Sequence, residues 1–283
     1  MTPAIPDPVA LVLGGGGQLG AHEVGMLRAL LEHGIRPDLV LGTSVGAING
    51  AAVASDPTPA AAERLAGLWS AIEAGDVFGG SPIGRLATLA RTRTHLHDNA
   101  GLRRLLTDSL AVDSIEDLPV RFQCVAASIE RAAEHWFTAG PLVDAVLASS
   151  AVPGLLPPVA IGDQHFVDGG IVNSIPVGRA VELGAREIYV LHVGRLDRPL
   201  EPPRWPWEVG LVAFEIARRH RYMRDLAQLP EEIALHVMPT GQQNPARYSD
   251  LSQLRYRDTS RIGERIERAY EASAAYLAER EAG

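Results

Sequence analysis

The chain of 283 residues contains no lysine: all 26 of its basic residues are arginine. Schiff-base chemistry and the lysine of a phosphate-binding P-loop are therefore out of consideration. There is a single cysteine, Cys124, which cannot close an internal disulfide, so nothing in the sequence calls for an oxidising compartment. Cations are also outnumbered. Against them stand 34 acidic residues, for a net charge of −8, and nucleic-acid affinity rests on cations placed against phosphates; no nucleic-acid partner is expected. Long apolar runs are missing as well. The uncharged stretch 39–55 carries Gly42, Thr43, Ser44, Gly46, Asn49 and Gly50 and falls short of the ~20 apolar residues that a spanning helix requires. Residues 1–8 hold three prolines and no basic region leading into an apolar run, unlike a secretory signal. The expectation is a cytoplasmic protein, with membrane contact of a peripheral kind at most.

What is present is enough for a core, since 46% of residues are hydrophobic and 21% charged. The run 9–13 is short, apolar and β-branched, ends in four glycines, and reads as a strand buried on both faces. Val24, Leu27, Leu30 and Leu31 recur at helical spacing before Gly34, and 38–41 reads as the next strand, giving one strand, helix, strand unit with a right-handed crossover. Helices are expected over 46–54, from Thr58-Pro59 with Leu65, Leu68, Trp69 and Ile72 inward, from Asp98 or Asn99 through Leu110, and over 142–149, 177–183 and 261–280. Strands are expected over 122–128, 136–137, 165–167, 187–193 and 234–238, and 75–98 shows no clear period. The class is α/β, a three-layer α/β/α arrangement with a mainly parallel central sheet. Residues 9–195 are read as the body of one domain. Residues 196–283, after the proline-rich stretch 199–206, are read as a mostly helical elaboration packed on it.

Three motifs carry chemistry. Gly42-Thr43-Ser44-Val45-Gly46 follows an apolar strand and precedes a run of small residues. In a strand-to-helix elbow of this kind the flanking glycines avoid backbone clashes, and the serine hydroxyl is presented at the positive end of a helix. Gly14 to Gly17 and Gly20 occupy a second strand-to-helix turn. The spacing fits a dinucleotide loop, but the acidic residue that loop needs beyond the next strand is absent, since Asp38 precedes that strand. The other reading turns the glycine amides toward an oxyanion beside the serine. Asp168-Gly169-Gly170, after a short apolar strand, is on its own an ordinary turn. His192, at the end of a strand, is the best histidine for a catalytic triad. His95-x-His97-Asp98 has a metal-like look without further ligands nearby, and a solvated loop is the better reading.

In this order and spacing the motifs resemble the patatin-like phospholipase family, as do 148–154, Pro157-Pro158 and Asn173-Ser174-Ile175-Pro176. The resemblance spans about 9–195. It implies a Ser44–Asp168 dyad attacking fatty-acyl carboxylic esters of lipids, with an oxyanion hole at Gly15, Gly16 and Gly17. Gly20, Gly42, Gly46, Gly169 and Gly170 support these motifs; no metal or cofactor is implied. The open alternatives are a Ser–His esterase or acyltransferase and a non-catalytic nucleotide- or acyl-binding module. One position departs from the family: Leu19 stands where members carry Arg or Lys, so the resemblance implies backbone amides working without that cation's help for an anionic head group. The segment 75–96 and Trp205-Pro206-Trp207 are candidates for a lid or an interfacial contact. The helix after Trp207, with Val209, Val212 and Ile216 and then Arg218, Arg219 and Arg221, reads as an amphipathic helix with a solvated basic end.

Overall fold

A computed structural model of the protein describes residues 8–71, 92, 94–193, 199–242 and 262–282. The described strands are β1 (Val9–Leu13), β2 (Leu39–Thr43), β3 (Arg121–Ser128), β4 (Ala133–Phe137), β5 (Val159–Ile161), β6 (Gln164–Asp168), β7 (Glu187–Leu191) and β8 (Ala234–Val237). They form one sheet in the order β5-β6-β3-β2-β1-β7-β8, with β4 also on β3. β3, β2, β1, β7 and β8 are parallel, and the pairs β3–β4, β3–β6 and β5–β6 are antiparallel.

The alternation of side chains along the central strands builds the layers. Leu11 and Leu13 of β1, Val40 of β2 and Tyr189 and Leu191 of β7 enter the core on one face. Ala10 and Val12, Leu39 and Leu41, and Ile188 and Val190 enter a second core on the other. The first face is covered by α1 (Ala21–Glu32), α2 (Val45–Ser55), α3 (Pro59–Ala71), α4 (Ala100–Ser109), α5 (Leu142–Ser149) and α9 (Ile262–Ala282). The short helices α6 (Gly170–Asn173) and α7 (Val177–Glu182) and the long α8 (Pro206–Ala227) belong to the other side, where Val177, Ala180 and Tyr222 complete the second core. The architecture is thus three-layer α/β/α with a mainly parallel sheet, as expected. β8 lies in register beside β7, and Gly25 of α1 lets the backbone of α9 come so close that a Cβ there would stand 2.1 Å from the Ile266 carbonyl. The C-terminal region thereby contributes both a strand and a packed helix to the same sheet and core.

The expected elements recur within the described residues, with differences: α6 was not expected, and β4 begins at Ala133 rather than at Trp136. β5 was not foreseen: it forms a two-residue hairpin with β6 through Gly162-Asp163, with Gly162 at φ +62°, a turn whose sequence signal is a glycine followed by aspartate between extended segments. The strand 187–193 ends two residues early, and His192 and Val193 lie beyond β7. Ile72 and most of 75–96 fall outside the described residues. His95 to His97 pair instead with the 154–155 backbone, and Asp98 accepts the Ala100 amide at 3.0 Å ahead of α4. Among the described residues no cluster of His, Cys, Asp or Glu could hold a metal, and no helix is long and apolar enough to cross a membrane.

Candidate active site

The sheet itself brings Ser44 and Asp168 together. β2 runs parallel to β3 and leaves it where Thr43 stands opposite Val125. β6 runs antiparallel to β3 and leaves it where Asp168 stands opposite Ala126. Because β4 occupies the opposite edge of β3 from Cys124 to Ser128, β2 and β6 share one edge and meet head-on at their carboxyl ends. Thr43 and Asp168, 125 positions apart in the chain, thereby stand one register step apart along β3, and Ser44 follows Thr43 directly. The Ser44 hydroxyl donates to Asp168 Oδ2 at 2.5 Å, and the Gly170 amide donates to Asp168 Oδ1 at 2.7 Å.

Ser44 sits at φ 56°, ψ −123°, a conformation that costs a non-glycine residue of order 1–3 kcal/mol and persists only where its surroundings enforce it. The flanking glycines are part of that enforcement. A Cβ on Gly42 would stand 2.5 Å from the Ala47 Cα, and one on Gly46 would stand 2.3 Å from the Leu13 carbonyl oxygen. Gly169 is equally confined, since a Cβ there would stand 2.1 Å from the Val125 carbonyl oxygen.

Residues 149–151, at the end of α5 and just beyond it, hold both partners in place, a role that sequence reasoning missed. The Ser149 hydroxyl accepts the Ser44 amide at 2.9 Å and donates to the Val125 carbonyl at 2.7 Å. The Ser150 hydroxyl donates to the Ser44 carbonyl at 3.0 Å. On the other side, the Asp168 amide donates to the Ala151 carbonyl and the Gly169 amide to the Ser149 carbonyl. Their only sequence signal was the Ser-Ser within the family-like block 148–154.

The glycine loop lies beside the serine, and a Cβ on Gly15 would be 3.5 Å from Ser44 Cβ. Its amides are not equivalent. Gly14 and Gly15 donate to the Leu191 and Ser174 carbonyls at 2.9 and 3.0 Å, so the Gly15 amide is already engaged, unlike the sequence expectation of three amides facing an oxyanion. No acceptor within the described residues takes the amides of Gly16 and Gly17, which are partly exposed. Gly17 has φ +57° and opens the 3₁₀ turn Gly17–Gly20. Gly16 passes so near Val193 that a Cβ would stand 2.1 Å from Cγ2. Leu19 is buried in the core. Beneath the loop, buried Asn49 of α2 donates to the Gly20 carbonyl and to the Glu23 carboxyl and accepts the Trp69 indole N–H; burial pushes Glu23 well above the usual carboxylate range.

The electrostatics separate the candidate bases. Asp168 is 2% exposed. Burial raises its pKa to about 6, against the opposing pull of the hydrogen bonds from Ser44 and Gly170. His192 makes no hydrogen bond with Ser44: its Cβ faces Gly14, its ring lies 6.4 Å from that of Tyr222, and its Nδ1 has no hydrogen-bond partner. Burial first, and then the nearby Arg218 and Arg219, lower its pKa to about 3.

The patatin-like phospholipase family model matches residues 11–181. A patatin-like phospholipase domain-containing protein of Caenorhabditis elegans, ZK370.4, is 34% identical over 195 residues, which are 68% of this chain and 14% of that protein. Lysophospholipase nte1 of Aspergillus terreus is 33% identical over 193 residues, 67% of this chain and 12% of that protein. This chain thus spans only a small part of the length of these relatives. Among solved structures, VipD from Legionella pneumophila superposes with a TM-score of 0.47 at 14% sequence identity, covering 98% of this chain and 67% of that chain. With the family's pattern matched from β1 through most of α7, the chain belongs to the patatin-like phospholipase family.

Proposed function

We propose that this protein is a serine hydrolase that cleaves the fatty-acyl carboxylic esters of phospholipids or lysophospholipids through a Ser44–Asp168 dyad. The observation that carries this reading is the 2.5 Å hydrogen bond from the Ser44 hydroxyl to Asp168 Oδ2, made by a serine in a strained elbow and an aspartate whose pKa is raised toward neutrality. A carboxylate near its ordinary pKa is a feeble acceptor for an alcohol proton, and raising it toward the operating pH improves the match.

Ser44 Oγ attacks the acyl carbonyl while its proton passes to Asp168 Oδ2. The negative charge that develops on the carbonyl oxygen is taken by the Gly16 and Gly17 amides, donors that need no reorganisation as charge appears. Collapse of the tetrahedral species expels the alcohol, to which Asp168 returns the proton. A water then attacks the acyl-Ser44 ester, gives its proton to Asp168, and the fatty acid leaves as Ser44 recovers it. Asp168 carries every proton, so the scheme calls for no metal. Gly15 serves by fixing the loop to Ser174. His192 stands outside the scheme because it is buried without a hydrogen bond to Ser44.

The test is hydrolysis of a p-nitrophenyl acyl ester by Ser44→Ala, Asp168→Asn and His192→Ala proteins of unchanged fold. The first two are expected to lose turnover by about 10³-fold or more, and the third to keep it. Activity that survives Asp168→Asn and disappears with His192→Ala would replace the dyad by a triad.

A further inference from the structure

Helix α8 departs from the expected pattern: two of its arginines turn inward, and a stripe of apolar residues is left on its outer face. Arg218, expected at a solvated basic end, is 5% exposed and paired with Glu215; Arg221 is held by Asp225 and Glu134. Three large apolar residues are outside: Val209, Ile216 and Met223 are 55, 55 and 56% exposed, and Trp205, just before the helix, is 57% exposed. Val209, Ala213, Ile216, His220, Met223 and Ala227 follow one another at steps of four and three and are all exposed, so they form a single stripe along the helix.

Charge on this face is selective. None of the exposed residues of α8 is acidic, in a chain with 34 acidic residues and a net charge of −8. Asp225 is buried and Glu215 nearly so, and Glu208 is turned back to accept the Arg204 and Trp205 amides at the helix start. The exposed cations are at the two ends of the stripe, Arg204 and Arg224. An apolar strip bounded by cations and cleared of carboxylates matches a phospholipid surface, with acyl chains below and a layer of phosphates above. A second copy of the chain fits less well. The four large apolar side chains offer on the order of 400 Å², a patch typical of working surfaces on monomers and about half of the ~800 Å² that a stable interface buries on each partner.

The opposite face of α8 reaches the catalytic carboxylate in one step. The Phe214 ring lies against Gly170, where a Cβ would stand 2.8 Å from Cζ, and the Gly170 amide is hydrogen-bonded to Asp168. We infer that the outward face of α8 docks on a zwitterionic phospholipid surface and sets the Ser44–Asp168 site against the lipid it would cleave. The docking rests on the hydrolase reading for its purpose but is tested without it.

Full-length Ser44→Ala protein is mixed with sonicated phosphatidylcholine vesicles and sedimented, beside the same protein carrying Ile216→Asp and Met223→Asp. Both positions are exposed, and thermal melts check that the fold is kept. The parent is expected to co-sediment, the double aspartate variant to bind roughly tenfold more weakly, and Ile216→Leu with Met223→Leu to bind as the parent does. In Ser44-intact proteins, the ratio of vesicle-lipid to monomeric p-nitrophenyl butyrate hydrolysis is expected to fall by a similar factor in the aspartate variant. A parent that does not sediment, an aspartate variant that binds as well as the parent, or a dimer in ultracentrifugation that the aspartates dissolve would overturn the inference. Loss of ester hydrolysis alone, with vesicle binding intact, would overturn the hydrolase reading and leave the docking standing.

Discussion

Replacing Asp168 with asparagine is expected to stabilise the fold at alkaline pH while it removes activity. The buried carboxyl has its pKa displaced from 3.8 to about 6, roughly two units at about 1.4 kcal/mol each, or ~3 kcal/mol in all. Between those two values the folded state keeps a proton that the unfolded chain has lost, so stability falls as pH rises through the window, and above pH 6 the full penalty stands. Asparagine has the same shape and no charge. Its Oδ1 can accept the Gly170 amide and its amide can donate to Ser44 Oγ, so neither native hydrogen-bond position is left empty. In scanning calorimetry the Asp168→Asn protein should therefore melt on the order of 6 °C higher than the parent near pH 8, and the difference should shrink as pH is lowered toward about 4. A gap between the two proteins that does not change with pH, or an asparagine protein that melts lower near pH 8, would refute the reasoning.

The same shift sets the expected pH dependence of catalysis: kcat/KM for a soluble ester should rise about tenfold per unit below pH 6 and level off above it, as Asp168 becomes a free base. An unchanged rate at about pH 5 would remove Asp168 as the base. Gly46→Ala places a methyl 2.3 Å from the Leu13 carbonyl oxygen; a loss of about 3 kcal/mol or more is expected in urea unfolding. Ser149→Ala removes the acceptor of the Ser44 amide and the donor to the Val125 carbonyl. Each buried group left unpaired costs about 1–3 kcal/mol, and kcat, measured on a soluble ester, should fall with stability as the elbow relaxes.

Much of this architecture was legible in the chain because each motif answers to a local rule. Apolar runs such as Val9–Leu13 sit in the sheet centre with both faces buried, and glycines two residues either side of Ser44 are demanded by backbone contacts that any elbow of this type makes. Long-range register was not legible. Nothing in the sequence near Asp168 says that β6 ends opposite Ala126 while β2 ends opposite Val125; that follows from how three strands divide the two edges of β3. For the same reason the roles of Ser149 and Ser150 were hidden, since their hydroxyls answer to a backbone a hundred residues away. The Gly15 amide looked free because its acceptor, the Ser174 carbonyl, is set by tertiary packing. Helix α8 misled for an energetic reason. Arg218 and Arg221 are neutralised inward by Glu215, Asp225 and Glu134, a pairing that periodicity does not reveal, and Val209, Ile216 and Met223 are left outside.

The dyad is tested most directly by covalent labelling with a fluorophosphonate, read by peptide mass spectrometry on the parent and on Asp168→Asn. The parent should carry the label on Ser44 and on no other serine, at a rate that rises with pH through about 6, and the asparagine protein should label at least 10²-fold more slowly. Labelling of Ser44 at equal rates in both proteins, or a parent that stays unlabelled at Ser44, would contradict the account.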